Sequence, residues 1–173
     1  MSGGTDIVKR WGSLMLDVQK LASIDALQLR YALALDRRNM QGWLDCFTGD
    51  GSYICIAREN EDQDLPLALM MDDCHDRLMD RVNYVTQVWA GTFEDYTTRH
   101  FVQRMECIEA GSSLFRVSTN MMVSYTSPKG FSELLVAGTY EDEIVITGDD
   151  AKFKSKRAVI DTLVTPRYIV YPV

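Results

Sequence analysis

Histidine is nearly absent from this sequence: His75 and His100 are the two among 173 residues. Metal centres built mainly on imidazole have little to draw on here. Cysteine is sparse and dispersed. Cys46, Cys55, Cys74 and Cys107 stand singly with no C-x-x-C pair, which excludes a zinc ribbon, a thioredoxin-type dithiol and a dense disulfide framework. They read as reduced thiols, most of them buried. Basic residues are outnumbered, 18 Lys+Arg against 25 Asp+Glu for a net charge of -7, so attraction to nucleic acid or anionic membranes is disfavoured. No apolar run approaches the roughly 20 residues that span a bilayer. The opening Met-Ser-Gly-Gly-Thr-Asp lacks the basic and then apolar layout of a secretory signal, and the chain reads as cytoplasmic.

Phosphate-binding motifs are missing too. No G-x-G-x-x-G follows a strand and no G-x-x-x-x-G-K-[ST] occurs, so neither a dinucleotide site nor a P-loop is supported. A Rieske cluster needs two Cys and two His in paired short motifs, whereas Cys74-His75 is the one place where the two residue types are neighbours. What is present, 46% hydrophobic and 25% charged residues, suits one domain with a sizeable core. Repeats and flexible linkers are not evident.

The first half has helical spacing. Ile24, Leu27, Tyr31, Ala34 and Leu35 form one apolar stripe, with Ser23 as the expected N-cap and Arg37-Arg38 suited to the negative end of the dipole. Trp43, Leu44 and Phe47 predict a short second helix closed by a Gly49-Asp50-Gly51 turn. Ser52 to Ala57 reads as a strand. From Met71 to Ala90 the period is helical again, with Asp73 four residues before Arg77 and Leu78, Val82 and Val85 on the apolar side. Val8 to Leu21, including Trp11, is a candidate for additional helix or interface.

From Thr98 the period falls to two, which predicts four long strands. In the second, Phe115, Val117, Thr119, Met121, Val123 and Tyr125 alternate with largely polar residues. Turn clusters at residues 110–113, 127–130 and 147–150 make these strands an antiparallel meander. Helices followed by a meander give an α+β fold in which the sheet curls around the first helix as a half-open cone. Gly138 is the expected bend.

Several residues invite a chemical reading and a plainer one. His75 lies in Asp72-Asp73-Cys74-His75-Asp76, and a solvated helix start accounts for it better than iron ligation shared with His100 and a carboxylate. His100 starts the first long strand, where alternate side chains enter the cone. Asp36, at the end of the first helix, is its natural partner, either as an acid–base pair or as a structural hydrogen bond. Lys152, Lys154, Lys156 and Arg157 read as the solvent face of an outer strand. Tyr84, Trp89, Phe93 and Tyr96 read as core singly and as a protein interface when taken together.

Tyr31 to Asp36, Trp43-Leu44, Phe47, Gly51-x-Tyr53, the run Ala57 to Leu67, Asp80-Arg81-Val82, Arg99-His100 and Tyr168 to Pro172 together resemble small (β) subunits of aromatic-ring-hydroxylating oxygenases. The Arg58-Glu59-Asn60 run with Leu65-Pro66-Leu67 and the Tyr171-Pro172 pair is similar to the branch containing salicylate hydroxylase and the anthranilate, halobenzoate and terephthalate dioxygenases. One departure is Asp64, where that pattern has glycine for a left-handed turn.

The resemblance implies an NTF2-like (cystatin-like) domain over residues 23–173 preceded by an extension over residues 1–22. It implies no catalytic, cofactor-binding or metal-binding residue on this chain. A large (α) subunit would carry the Rieske [2Fe-2S] cluster and mononuclear non-haem iron, in an α3β3 assembly with β–β contacts. Ferredoxin and reductase would act through that α subunit on an aromatic carboxylic acid. The competing expectation is a free-standing NTF2-like dehydratase or isomerase using His100 and Asp36, with Tyr31 or Tyr53 as hydroxyl donor.

Overall fold

The computed structural model describes residues 18–92 and 95–173, arranged as one long and several short helices against one curved sheet. Trp11, Phe93 and the greater part of Val8 to Leu21 lie outside the described residues. Helix α1 (Val18–Asp36) buries Ile24, Leu27, Gln28, Tyr31, Ala32, Ala34 and Leu35. Ser23 is not its cap: the helix already runs at Val18, and Ser23 Oγ donates to the Gln19 carbonyl at 3.1 Å, the back-bond of a serine inside a helix. The end of α1 is a Schellman turn. Arg38 N–H reaches Leu35 O (2.9 Å), Asn39 N–H reaches Ala34 O (2.8 Å), and Arg38 takes φ 56°. Asn39 then caps α2 (Met40–Leu44) by accepting from Gly42 N at 2.9 Å.

Gly49-Asp50-Gly51 belongs to strand β1 (Phe47–Ala57) instead of ending a helix. Phe47 pairs with Phe153 and Ser52 with Ser155, so residues 48–51 loop out between them. A Cβ on Gly51 would stand 2.8 Å from Phe47 Cβ, a separation that glycine avoids. Helix α3 (Arg58–Asp62) and strand β2 (Ala68–Asp72) follow. Helix α4 (His75–Asn83), extended by a π-helical turn over Tyr84–Val88, begins later than its period suggests because Met71 and Asp72 belong to β2. Leu78 and Val85 are buried as expected, with Val82 packed against the core.

The long strands are β3 (Thr97–Glu109), β4 (Leu114–Thr126), β5 (Ser132–Thr147) and β6 (Asp150–Ile160). They form the expected antiparallel meander, and β1 joins β6 in parallel to give the order β2-β1-β6-β5-β4-β3. Strand β6 is therefore central and not outer. Its basic run is split by a bulge: Ile144 pairs with Phe153 and Glu143 with Ser155, leaving Lys154 extra. Phe153 and Lys156 consequently both face inward. Gly138 serves close approach between strands, since a Cβ there would lie 2.1 Å from the Val159 carbonyl oxygen.

Candidate functional site

Asp36 and His100 meet where the end of α1 touches edge strand β3. Asp36 Oδ1 is 2.7 Å from His100 Nδ1 and accepts from Thr98 Oγ1 at 3.0 Å, while Oδ2 accepts from the His100 main-chain N–H at 3.2 Å. Burial pushes the Asp36 carboxyl up, but the hydrogen bonds and charge of His100 outweigh it and hold the group below its ordinary value. The His100 side chain is 2% exposed, and its Nε2 is buried without a partner. The pair fastens helix to strand. With Nδ1 on Asp36 and Nε2 buried, neither His100 ring nitrogen faces solvent, while Asp36 keeps 14% of its side chain exposed.

The interior that a free-standing enzyme would keep open is filled. Tyr31 Oη and Tyr53 Oη, the candidate hydroxyl donors, both donate to the main-chain oxygen of Val173, at 2.9 and 3.2 Å. Val170, Pro172 and Val173 are buried. Beside them Lys156, fully buried, donates to Asp142 Oδ2 at 3.1 Å and to Gln28 Oε1 at 3.1 Å, and Gln28 Nε2 donates to Asp142 Oδ2 at 2.6 Å. The ammonium lies 3.5, 4.2 and 4.4 Å from the ring centroids of Tyr140, Phe153 and Tyr31. Burial pushes Lys156 down to about 8 in spite of Asp142, and it raises Asp142 in spite of Lys156 and Gln28. Sequence reasoning missed this network. Asp142 was detectable, since it shares a period of two with Val136, Tyr140, Ile144 and Ile146.

An open cleft of about 340 Å³ between α1 and β3–β4 is lined by Asp25, Gln28, Leu29, Val102, Arg104 and Thr119. Arg104 bridges its mouth to Asp25 through two hydrogen bonds, 2.7 and 3.1 Å. His100 and Asp36 do not line it. Among the described residues, no three His, Cys, Asp or Glu side chains gather where they could share a metal ion. The four cysteines are free; Cys46 and Cys55 are buried, whereas Cys74 is exposed and Cys107 half-buried. The aromatic group divides: Tyr84 is exposed and meets Trp89 edge to face, while Tyr96 is buried against Tyr125 and Tyr171.

The Arg58-to-Leu67 run is a brace. Arg58 donates to Asp161 and Thr139, each at 2.9 Å, Asn60 Nδ2 donates to Leu67 O at 3.0 Å, and Glu61 takes the Arg157 guanidinium with two oxygens. Asp64 N–H to Glu61 O and Leu65 N–H to Asn60 O close a second Schellman turn. Asp64 adopts φ 52° there, so the turn keeps its left-handed form without glycine.

A family model described as the ring hydroxylating beta subunit matches residues 30–167. This chain belongs to that family. It is similar to the anthranilate 1,2-dioxygenase small subunit of Burkholderia cepacia, 30% identical over 87% of this chain and 92% of that one. It is also similar to the terephthalate 1,2-dioxygenase terminal oxygenase component subunit beta 2 of Comamonas sp, 26% identical over 86% of this chain and 96% of the other. Among solved structures, a protein described as the beta subunit of an aromatic-ring-hydroxylating dioxygenase from Novosphingobium aromaticivorans superposes with a TM-score of 0.76. It is 29% identical, covering 86% of this chain and 94% of that one. As a ring-hydroxylating β subunit the chain has the NTF2-like cone, works beside a large α subunit, and is part of an enzyme as its small component. Among its described residues, no helix is long and apolar enough to cross a membrane.

Proposed function

We propose that this β subunit is the non-catalytic scaffold of a cytoplasmic Rieske-type oxygenase acting on an aromatic carboxylic acid. The observation that carries the reading is the match over nearly the whole length of two small subunits, of anthranilate and of terephthalate dioxygenases. The sequence has no paired Cys and His motifs of the kind that hold a [2Fe-2S] centre. The Rieske cluster and the mononuclear non-haem iron belong on the α subunit, which receives electrons from ferredoxin and reductase. No catalytic residue is assigned to this chain.

Its contribution is geometric. Electron transfer between α subunits depends on how they are held, and a stiff curved sheet fixes that arrangement at little entropic cost. An α3β3 ring requires two different β surfaces to meet. Exposed apolar side chains occur at both sheet edges, Leu67 and Leu69 at β2 and Phe101, Met105 and Ile108 at β3, as interface surfaces have. The division into an extension over residues 1–22 and a domain over 23–173 is part of the same reading, with α1 crossing it.

Co-expression with the α subunit tests the proposal. Native mass measurement should give a hetero-hexamer, and hydroxylation of anthranilate, benzoate or terephthalate should require both chains. Turnover by this chain alone would overturn the scaffold reading and favour the His100–Asp36 enzyme.

A further inference from the structure

The scaffold role makes no use of a cluster of polar aromatic groups inside the cone. Tyr31, Trp43, Tyr53 and Tyr140 come from α1, α2, β1 and β5, and all four are fully buried. Tyr31 and Tyr140 lie 6.0 Å apart by ring centroid, Trp43 and Tyr53 5.8 Å. Residues 170–173, which belong to no helix or strand, enter this cluster. The Val173 oxygen accepts from two phenols, and the Val173 N–H donates to Tyr53 Oη at 3.1 Å. Tyr140 Oη is buried with no partner. Burial raises all three phenols well above their ordinary value, so they remain hydrogen-bond donors.

Phenylalanine would fill such a space without the cost of a buried hydroxyl. Two of the three phenols converge on a single oxygen, and the third, Tyr140, packs its ring 6.0 Å from that of Tyr31 with its hydroxyl unpaired. We propose that this socket binds a small carboxylic acid with an apolar body, and that residues 170–173 occupy it in the resting chain. One carboxylate oxygen replaces that of Val173 between Tyr31 and Tyr53, and the other supplies the acceptor that Tyr140 lacks. Pro172 and Val173, both buried, mark the volume open to the apolar body. Because the occupying segment is tethered, it competes at a high effective concentration, and free acid enters only when the segment leaves. This site is independent of the scaffold reading, since it needs no α subunit.

The test compares the full chain with a variant lacking residues 170–173, using 3-methylbutanoate, benzoate and the peptide acetyl-Tyr-Pro-Val as probes. At about a hundredfold excess over Kd, the shortened chain should gain about 5 °C or more in unfolding midpoint, and the full chain should gain less than a fifth of that. Y31F together with Y53F in the shortened chain should weaken binding at least tenfold. A folded shortened chain that answers to none of the probes overturns the proposal, as does binding that survives both substitutions. Should the shortened chain fail to fold alone, refolding with 3-methylbutanoate decides: recovery supports the socket, and no recovery makes residues 170–173 ordinary core.

Discussion

Lys156 and Arg157 are consecutive on β6, yet one is sealed in the core and the other reaches toward solvent. Lys156 is 0% exposed, bound to Asp142 and Gln28 and surrounded by three rings. Arg157 keeps 32% of its side chain exposed and holds Glu61, itself 29% exposed. Both residues carry the same sign of charge, so charge alone does not decide burial. The face does, and it is set two residues earlier by the bulge at Lys154. Inside, each ion must be matched because water cannot help. Outside, pairing is a small refinement.

The most severe way to break this contrast is Lys156→Ala, which strands Asp142 and should cost about 3–5 kcal/mol in urea unfolding. Lys156→Met combined with Asp142→Leu should restore most of that loss, because a packed apolar pair needs no partner. The pair also leaves a pH signature. Burial brings Lys156 down to about 8 from 10.5, so between those values the unfolded chain holds a proton the folded chain has shed. Stability from this group therefore rises with pH across that window. Lys156→Met should abolish the rise in a urea series from pH 7.5 to 10.5.

A smaller disturbance is Gly138→Ala, which pushes β5 from β6 where Gly138 pairs with Ile160, because the new methyl would meet the Val159 carbonyl. It should cost about 1–3 kcal/mol, read as a lowered urea midpoint. His100→Ala comes next, at about 1–2 kcal/mol, since Asp36 keeps Thr98 and a main-chain N–H. A loss equal to that of Lys156→Ala would erase the distinction between core and rim. The pH dependence here has the opposite location. Asp36 titrates below its ordinary 3.8 when folded, so its contribution is present above 3.8 and disappears as pH falls through the folded value. His100→Ala should flatten that acid limb. Arg157→Ala should have the least effect, below about 1 kcal/mol and shrinking with added salt.

The long strands were legible because alternation in β4 survives across its whole length, from Phe115 to Tyr125. Helix α1 was legible for a similar reason, although Ser23 sent its start astray. Where the period is interrupted, the sequence misleads. Lys152, Lys154 and Lys156 look like one face, and only the pairing with β5 reveals the extra residue between them. Elements α3 and β2 are five residues each, too short to establish a period. The His100–Asp36 contact was foreseeable from position, but its enclosure depended on packing. That residues 170–173 turn back onto Tyr31 and Tyr53 could not be read locally, because those partners lie more than about a hundred positions away.

Strand β1 has its parallel neighbour in β6, at the far side of the meander. A growing polypeptide can zip β3 through β6 as local hairpins, but β1 must wait for a loop of about a hundred residues to close. Until then the rings of Tyr31 and Phe47, which pack against Tyr140 and Phe153 of β5 and β6, lack those partners. During synthesis the early part of this chain is accordingly the part exposed to clumping, and chaperone capture should concentrate on nascent chains that stop short of Asp150.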